Sequence, residues 1–263
     1  MTEVETLRAG WPAVVRSRLA ALITAAILVP SPSHAVAPYV TDDPEPTEFG
    51  HFEIDLAAQY TARSGERSGA LPSLEIDYGA LPNLELQVIA ALAFDRRSSA
   101  TTRVGAGDTE IGLKYRMIEE DKEGWRPALA VFPQVFLPTG DEGRGLGTGH
   151  THYFLPLWIG KELGDWHAFG GSGYTVDPGA GNRNSWFLGS GVTRKVDNSL
   201  TLGGEVFHST ASEAGRKSTT GFNLGAVYDF SDNQHLLVSA GRGLQNATTT
   251  NRFTSFVAYQ LTF

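Results

Sequence analysis

The feature that most limits what this chain can fold into is an alternation of apolar and polar residues at period two, with charges on the polar side. Successive strand side chains point to opposite faces, so such a segment is a strand with one greasy and one polar face. In HFEIDLAAQY, Phe52, Ile54, Leu56, Ala58 and Tyr60 share a face opposite His51, Glu53, Asp55 and Gln59. LEIDY sets Leu74, Ile76 and Tyr78 against Glu75 and Asp77. NLELQVIAALAF opposes Leu84, Leu86 and Val88 to Glu85 and Gln87, and DTEIGLKYRM opposes Ile111, Leu113 and Tyr115 to Asp108, Glu110, Lys114 and Arg116. Further segments fall near 126–138, 150–160, 165–175, 184–194, 199–209, 218–230, 235–243 and 250–263. No window carries a 3.6-residue apolar stripe.

The spacing predicts an all-β, antiparallel transmembrane barrel of about twelve strands, within a range of about ten to fourteen. Connections alternate in length. GALP (79–82), EEDKEG (119–124), ELGD (162–165), KVDNS (195–199) and SDNQ (231–234) read as short periplasmic turns. TARSGERSGA, DRRSSATTRVG, PTGDEGRGLGTG, VDPGAGNRN, STASEAGRKS and GLQNATTT read as longer extracellular loops. A soluble sandwich would share the alternation but turn its apolar face inward. Aromatic residues near strand ends on the apolar face, among them Tyr60, Tyr78, Phe94, Tyr115, Tyr228, Phe230 and Tyr259, fit an interfacial girdle and favour the membrane.

The ends of the chain agree. Residues 16–37 run from Arg16 and Arg18 through the apolar stretch Leu19–Val29 to small residues, the order of a signal peptide cut after Ala35 or Ala37. A membrane anchor is the other reading, but that stretch is well short of the ~20 residues a helix needs to span hydrocarbon. Residues 38–49 are then expected as an N-terminal periplasmic segment, and 50–263 as the barrel. SFVAYQLTF ends on an aromatic in mid-strand. A closed barrel pairs it with the first strand. Phe263 resembles the C-terminal aromatic by which the outer-membrane assembly machinery recognises its clients, and the resemblance implies Tyr259, Leu261 and Phe263 as the assembly signal.

Composition removes whole classes of function. The absence of cysteine excludes disulfides, thiolate metal sites and a Cys nucleophile. A formal charge of -8 argues against nucleic acid as a partner. GRGLGTG (143–149) is followed by a strand-like segment rather than a helix, so it reads as a loop and not a phosphate cradle. His150 and His152 share a strand face, and His51 and His167 are the further histidines that could join them, but no third metal ligand is evident nearby. His208 and Ser209 are adjacent and point apart, which leaves a lipid-modifying Ser–His enzyme as an alternative without a supporting motif.

What remains is distributed. Glu53, Asp55, Glu75, Asp77, Glu85, Asp108 and Glu110, with Lys114 and Arg116, are expected to line a lumen, joined by Glu205, Asp229 and Arg252 on later strands, with Arg194 placed to snorkel at a strand end. Phe132, Phe136, Phe154, Trp158 and Phe169 would give it an apolar side. An acidic wall favours cations; a plugged interior in which the charges only hold the barrel together is the competing reading.

PQVFLPTGDEGRGLGTGHTHYFLPLW, preceded by GAGDTEIGLKYR and by TDDPEPTEFGHFEI near the start, resembles the outer-membrane family associated with the meta-cleavage pathway of phenol degradation and often labelled a transporter. The resemblance implies a passive pore in the cell outer membrane for small, aromatic or hydrophobic solutes, with no catalytic, cofactor-binding or metal residues to carry over. Outer-membrane lipids and a solute of unknown identity would be its partners.

Overall fold

A computed structural model describes residues 38–97 and 101–263; the segment 1–37, expected to hold a signal peptide, lies outside them. Fourteen strands form one sheet among the described residues. They are β1 (Phe52–Arg63), β2 (Glu66–Leu81), β3 (Leu84–Arg97), β4 (Arg103–Ala106), β5 (Thr109–Ile118), β6 (Ala128–Val131), β7 (Gln134–Leu137), β8 (His152–Leu163), β9 (Trp166–Val176), β10 (Ser185–Lys195), β11 (Leu200–Ser209), β12 (Thr219–Ser231), β13 (Gln234–Gln245) and β14 (Phe253–Thr262).

Two positions of the wall are each made of two pieces. β4 and β5 both pair with β3, and β6 and β7 both pair with β5 and β8. The second break falls at Pro133, which has no N–H to give the ladder. The wall is therefore a closed antiparallel barrel of twelve strands. Closure is made by β1 and β14, in register from Glu53↔Thr262 to Ala62↔Phe253. Phe52 and Phe263 exchange backbone hydrogen bonds at 2.7 and 3.0 Å and finish the seam.

Polarity is inverted relative to a water-soluble fold. Leu56, Leu86, Val88, Leu188 and Leu224 stand out on the exterior, Leu224 with 64% of its surface exposed, while Glu53, Asp55, Asp77, Glu85, Lys114, Glu205, Asn223, His235 and Gln260 are buried. Aromatic clusters mark both rims. Phe52 lies between Tyr78 and Phe263 at the short-turn end, and Tyr60 lies between Phe94 and Phe253 at the loop end. Tyr228, Phe230 and Tyr259 extend the first belt, and Tyr174 with Trp186 the second. Rings at both edges of an apolar band are what the two water–lipid interfaces select.

One connection differs from expectation. TARSGERSGA is not a long loop: β1 and β2 pair out to Arg63↔Glu66 and turn on Ser64 and Gly65 alone. Gly65 takes φ +74°, the left-handed geometry a two-residue hairpin demands, and Arg63 pairs with Glu66 across it. The run of Arg, Ser and Glu masks the alternation of strands that continue into water.

The loop 138–151 folds inward. Its Leu146 is buried, and Asp108, at the break between β4 and β5, accepts from the backbone N–H of Gly140 at 3.0 Å and of Thr148 at 2.7 Å. His150 then latches this loop to 177–184. Its Nδ1 lies 2.7 Å from the Thr148 carbonyl and its Nε2 2.5 Å from Asp177, which also accepts from Asn182 and Gly179. Two acceptors on one ring call for a doubly protonated imidazole. The hydrogen bond to Asp177 accordingly raises the His150 pKa; at Asp177 partial burial works against ionisation, but Asn182 and His150 outweigh it and hold the carboxyl below its usual range.

Two outcomes follow from this architecture. Val88→Arg, near mid-height on the lipid face, should cost about 2–4 kcal/mol of stability in bilayers; urea unfolding from vesicles measures it, and a change near zero would mean that Val88 does not meet acyl chains. For the latch, a raised His150 pKa means that its contribution is complete below ~6.5 and lost as pH rises through the raised value, while a depressed Asp177 pKa means that its contribution holds above ~4 and is lost only in stronger acid. A His150 ring-proton NMR titration in nanodiscs should therefore show a midpoint above ~6.5 that falls toward that value in Asp177→Asn; a midpoint indifferent to the substitution contradicts the latch.

Candidate functional site

The strand register assembles the interior in rows. Glu53 of β1 lies beside Thr262 on β14 and Asp77 on β2, and Asp77 lies beside Gln87 on β3. One step nearer the loops, Asp229, His235, Gln260, Asp55 and Glu75 are consecutive cross-strand neighbours on β12, β13, β14, β1 and β2. Closing the barrel is what brings the first and last strands' polar residues together.

Amides and an imidazole, rather than lysine or arginine, satisfy much of this wall. Gln87 donates to Glu75 at 2.6 Å, Gln134 donates to Glu110 at 2.5 Å, and Gln260 approaches Glu53 at 3.4 Å. His235 Nδ1 lies 2.6 Å from Asp229. Oδ1 of Asp55 and Oδ1 of Asp77 are buried with no hydrogen-bond partner among the described residues. Such a group is costly in a dry medium, by about 1–3 kcal/mol even when uncharged.

The two bases set into the same wall are already engaged. Lys114 lies 3.1 Å from Asp42 and 3.9 Å from Glu85, with its ammonium 4.8 Å from the centre of the Phe132 ring. Arg116 pairs with Glu45 and donates to Asn83 at 2.9 and 2.6 Å. Asp108, expected with the lumen group, holds loop 138–151 instead of meeting its neighbours on β5. A cavity of about 440 Å³ beside that loop is lined by Ala91, Ala93, Leu146, Phe136 and His152, the last two stacked 4.4 Å apart.

The opposite side is aromatic. Phe154, Trp158 and Phe187 form a triangle with ring centres 6.0–6.4 Å apart, and Phe207 continues it 6.3 Å beyond Phe187. Phe169 stacks on His167 and on Tyr39. The rings lie flat against neighbouring strands because those strands carry glycine there: a Cβ on Gly173 would come within 2.2 Å of Phe154, and one on Gly191 within 2.4 Å of Phe169. Phe154, Trp158 and Phe169 match the expected apolar side, and the structure adds Phe187 and Phe207 to it. Phe132 belongs with Lys114 on the acidic side.

The remaining candidates separate. Arg194 stacks over Trp166, 5.1 Å from the ring centre, at the short-turn rim. His208 Nδ1 lies 2.8 Å from Thr220 and does not face Ser209. His51 is near Glu48, and no group of three His, Cys, Asp or Glu side chains is placed to hold a metal ion among the described residues. Tyr259, Leu261 and Phe263 stand on the exterior of β14.

Residues 38–49, expected to trail in the periplasm, lie among these inward-facing groups. Thr47 donates to Glu85 from its backbone at 2.7 Å, and the N–H groups of Val40 and Thr41 donate to the two oxygens of Glu205 at 2.9 and 2.8 Å. Nothing in the periodicity of YVTDDPEPTEF signals this, since a segment crossing a barrel has no face to repeat.

Solved structures share this fold at low sequence identity. The NanC porin superposes with a TM-score of 0.56 at 10% identity, over 80% of this chain and 98% of its own. The KdgM porin does so with 0.54 at 12%, over 80% and 99%. Its complex with disordered oligogalacturonate gives 0.51 at 11%, over 80% and 98%. Among curated proteins none matches the chain in sequence. The fold and the apolar exterior place the chain in the outer membrane. A family model described as "Putative MetA-pathway of phenol degradation" matches residues 49–262, and the chain belongs to that family.

Proposed function

We propose that the protein is a passive outer-membrane channel for small solutes, without catalytic residues or a cofactor, and that its interior favours cations, including those with an aromatic or apolar body. The observation that carries the reading is the unequal interior. Glu53, Asp55, Glu75, Asp77, Glu85 and Glu110 share one side of the barrel, Lys114 and Arg116 are occupied by Asp42 and Glu45, and rings cover the other side. Carboxylates without bases repel anions and draw cations into a water-filled lumen. Rings opposite them offer an apolar or π-face to the body of the same solute. The polyanion held by KdgM is the class this interior would exclude.

A second reading has an observation behind it as well. Residues 39–47 cross the interior, which suits a structural barrel that displays loops such as 138–151 and 177–184 to partners.

Tyr259, Leu261 and Phe263, in this proposal, are the strip that the assembly machinery reads on β14. Their position supports it, because β14 is the strand that closes the barrel against β1.

Ion selectivity tests the first proposal. In planar bilayers under a KCl gradient, the reversal potential of even rare openings should show potassium preferred over chloride, and Asp55→Asn with Asp77→Asn should reduce the preference several-fold; an anion preference, or a ratio unmoved by the double substitution, contradicts it. For the assembly strip, Phe263→Ser should lower the folded fraction in cells while leaving folding into detergent intact. Equal losses in both settings would make Phe263 a packing residue only.

A further inference from the structure

Residues 39–47 are seated in the barrel rather than draped across it. They run from β3, where Thr47 meets Glu85, past Arg116 and Lys114 on β5, to β11, where Val40 and Thr41 meet Glu205. Along that path the strands have been cut back. A Cβ on Gly160 of β8 would lie 2.7 Å from Pro44, one on Gly189 of β10 would lie 2.1 Å from Thr41, and one on Gly225 of β12 would lie 2.9 Å from Tyr39. Glycine weakens a strand and packs nothing, so its place on an inner face calls for a close neighbour. Thr41 and Pro44 are fully buried as a result.

The seat also matches in polarity. The Glu205 carboxylate takes two successive backbone N–H groups, an arrangement that fits any extended peptide, and Asn223 orients it from β12 at 2.5 Å. Asp42 and Glu45 neutralise the two bases of the acidic wall. Gly225 lies six residues from the end of β12 at Ser231, so the segment reaches roughly 15 Å above the short-turn rim for a tilted strand. That is about half the height of the apolar band.

We propose that the inner faces of β8, β10, β11 and β12 form a binding track for an extended peptide, that residues 39–47 are its occupant, and that the passage conducts when the occupant leaves. The second half rests on the channel reading above, and the test separates the two.

The chain has no cysteine, so Thr41→Cys supplies a unique thiol. In that background its reaction with a water-soluble maleimide should be slow. Gly189→Leu, which fills the place of the Thr41 side chain, should speed labelling at least about tenfold and raise bilayer conductance several-fold. Glu205→Gln, which replaces an acceptor by an amide without adding bulk, should do the same and serves if the leucine variant does not fold. Fast labelling in the parent overturns the seat. Faster labelling in the variants with the same large conductance as the parent overturns the closure and leaves the channel standing. Faster labelling with silent bilayers throughout removes the channel reading and the gate with it.

Discussion

In hydrocarbon a backbone N–H has no water to fall back on, so each strand must find its partner within the protein. The pairing of β1 with β14 meets that requirement for the last open edges of the sheet. Without it Phe52–Arg63 and Phe253–Thr262 would each present a row of unpaired donors and acceptors to lipid. With it the sheet is a tube, and its two faces acquire different solvents. The outer face meets acyl chains and accepts Leu, Val and Ile at every second position; the inner face inherits the charged half of the alternation.

That inheritance sets the interior's chemistry. Burying carboxylates is costly, and proteins ordinarily offset the cost with bases. Here amides and His235 carry much of the load, and the two available bases are shared with Asp42 and Glu45 from the segment that crosses the barrel. The acidic wall and the inserted segment are therefore parts of one electrostatic arrangement. Taking out the segment would leave Lys114 and Arg116 facing Glu85 and its neighbours with fewer partners and more room.

Much of the wall was legible in the sequence because period two has one physical meaning when charges mark the second face. Strand positions from Phe52 through Thr262 follow from it, as does the burial of Glu53, Asp55, Asp77, Glu85 and Lys114; Asp108, which holds loop 138–151, and TARSGERSGA, which is a tight hairpin, do not. Polar strand ends were harder to read: Arg63 and Glu66 continue a hairpin beyond the membrane, where nothing requires apolar residues. SWFLGSGV places Trp186 and Leu188 outside and Phe187 inside, so aromatic content alone does not identify a face. The path of residues 39–47 was least legible. Its acidic, proline-containing composition reads as a linker, and its contacts lie 38 to 165 residues away in the chain.

The inverted polarity of the wall is tested most directly by spin labels placed singly at residues 86, 87, 88 and 89 of the protein in lipid bilayers. Collision with oxygen, which concentrates in hydrocarbon, should be high at 86 and 88 and low at 87 and 89. Oxygen contact highest at 87 and 89, or equal at all four, would contradict a barrel that turns Leu86 and Val88 to lipid and Gln87 to its interior.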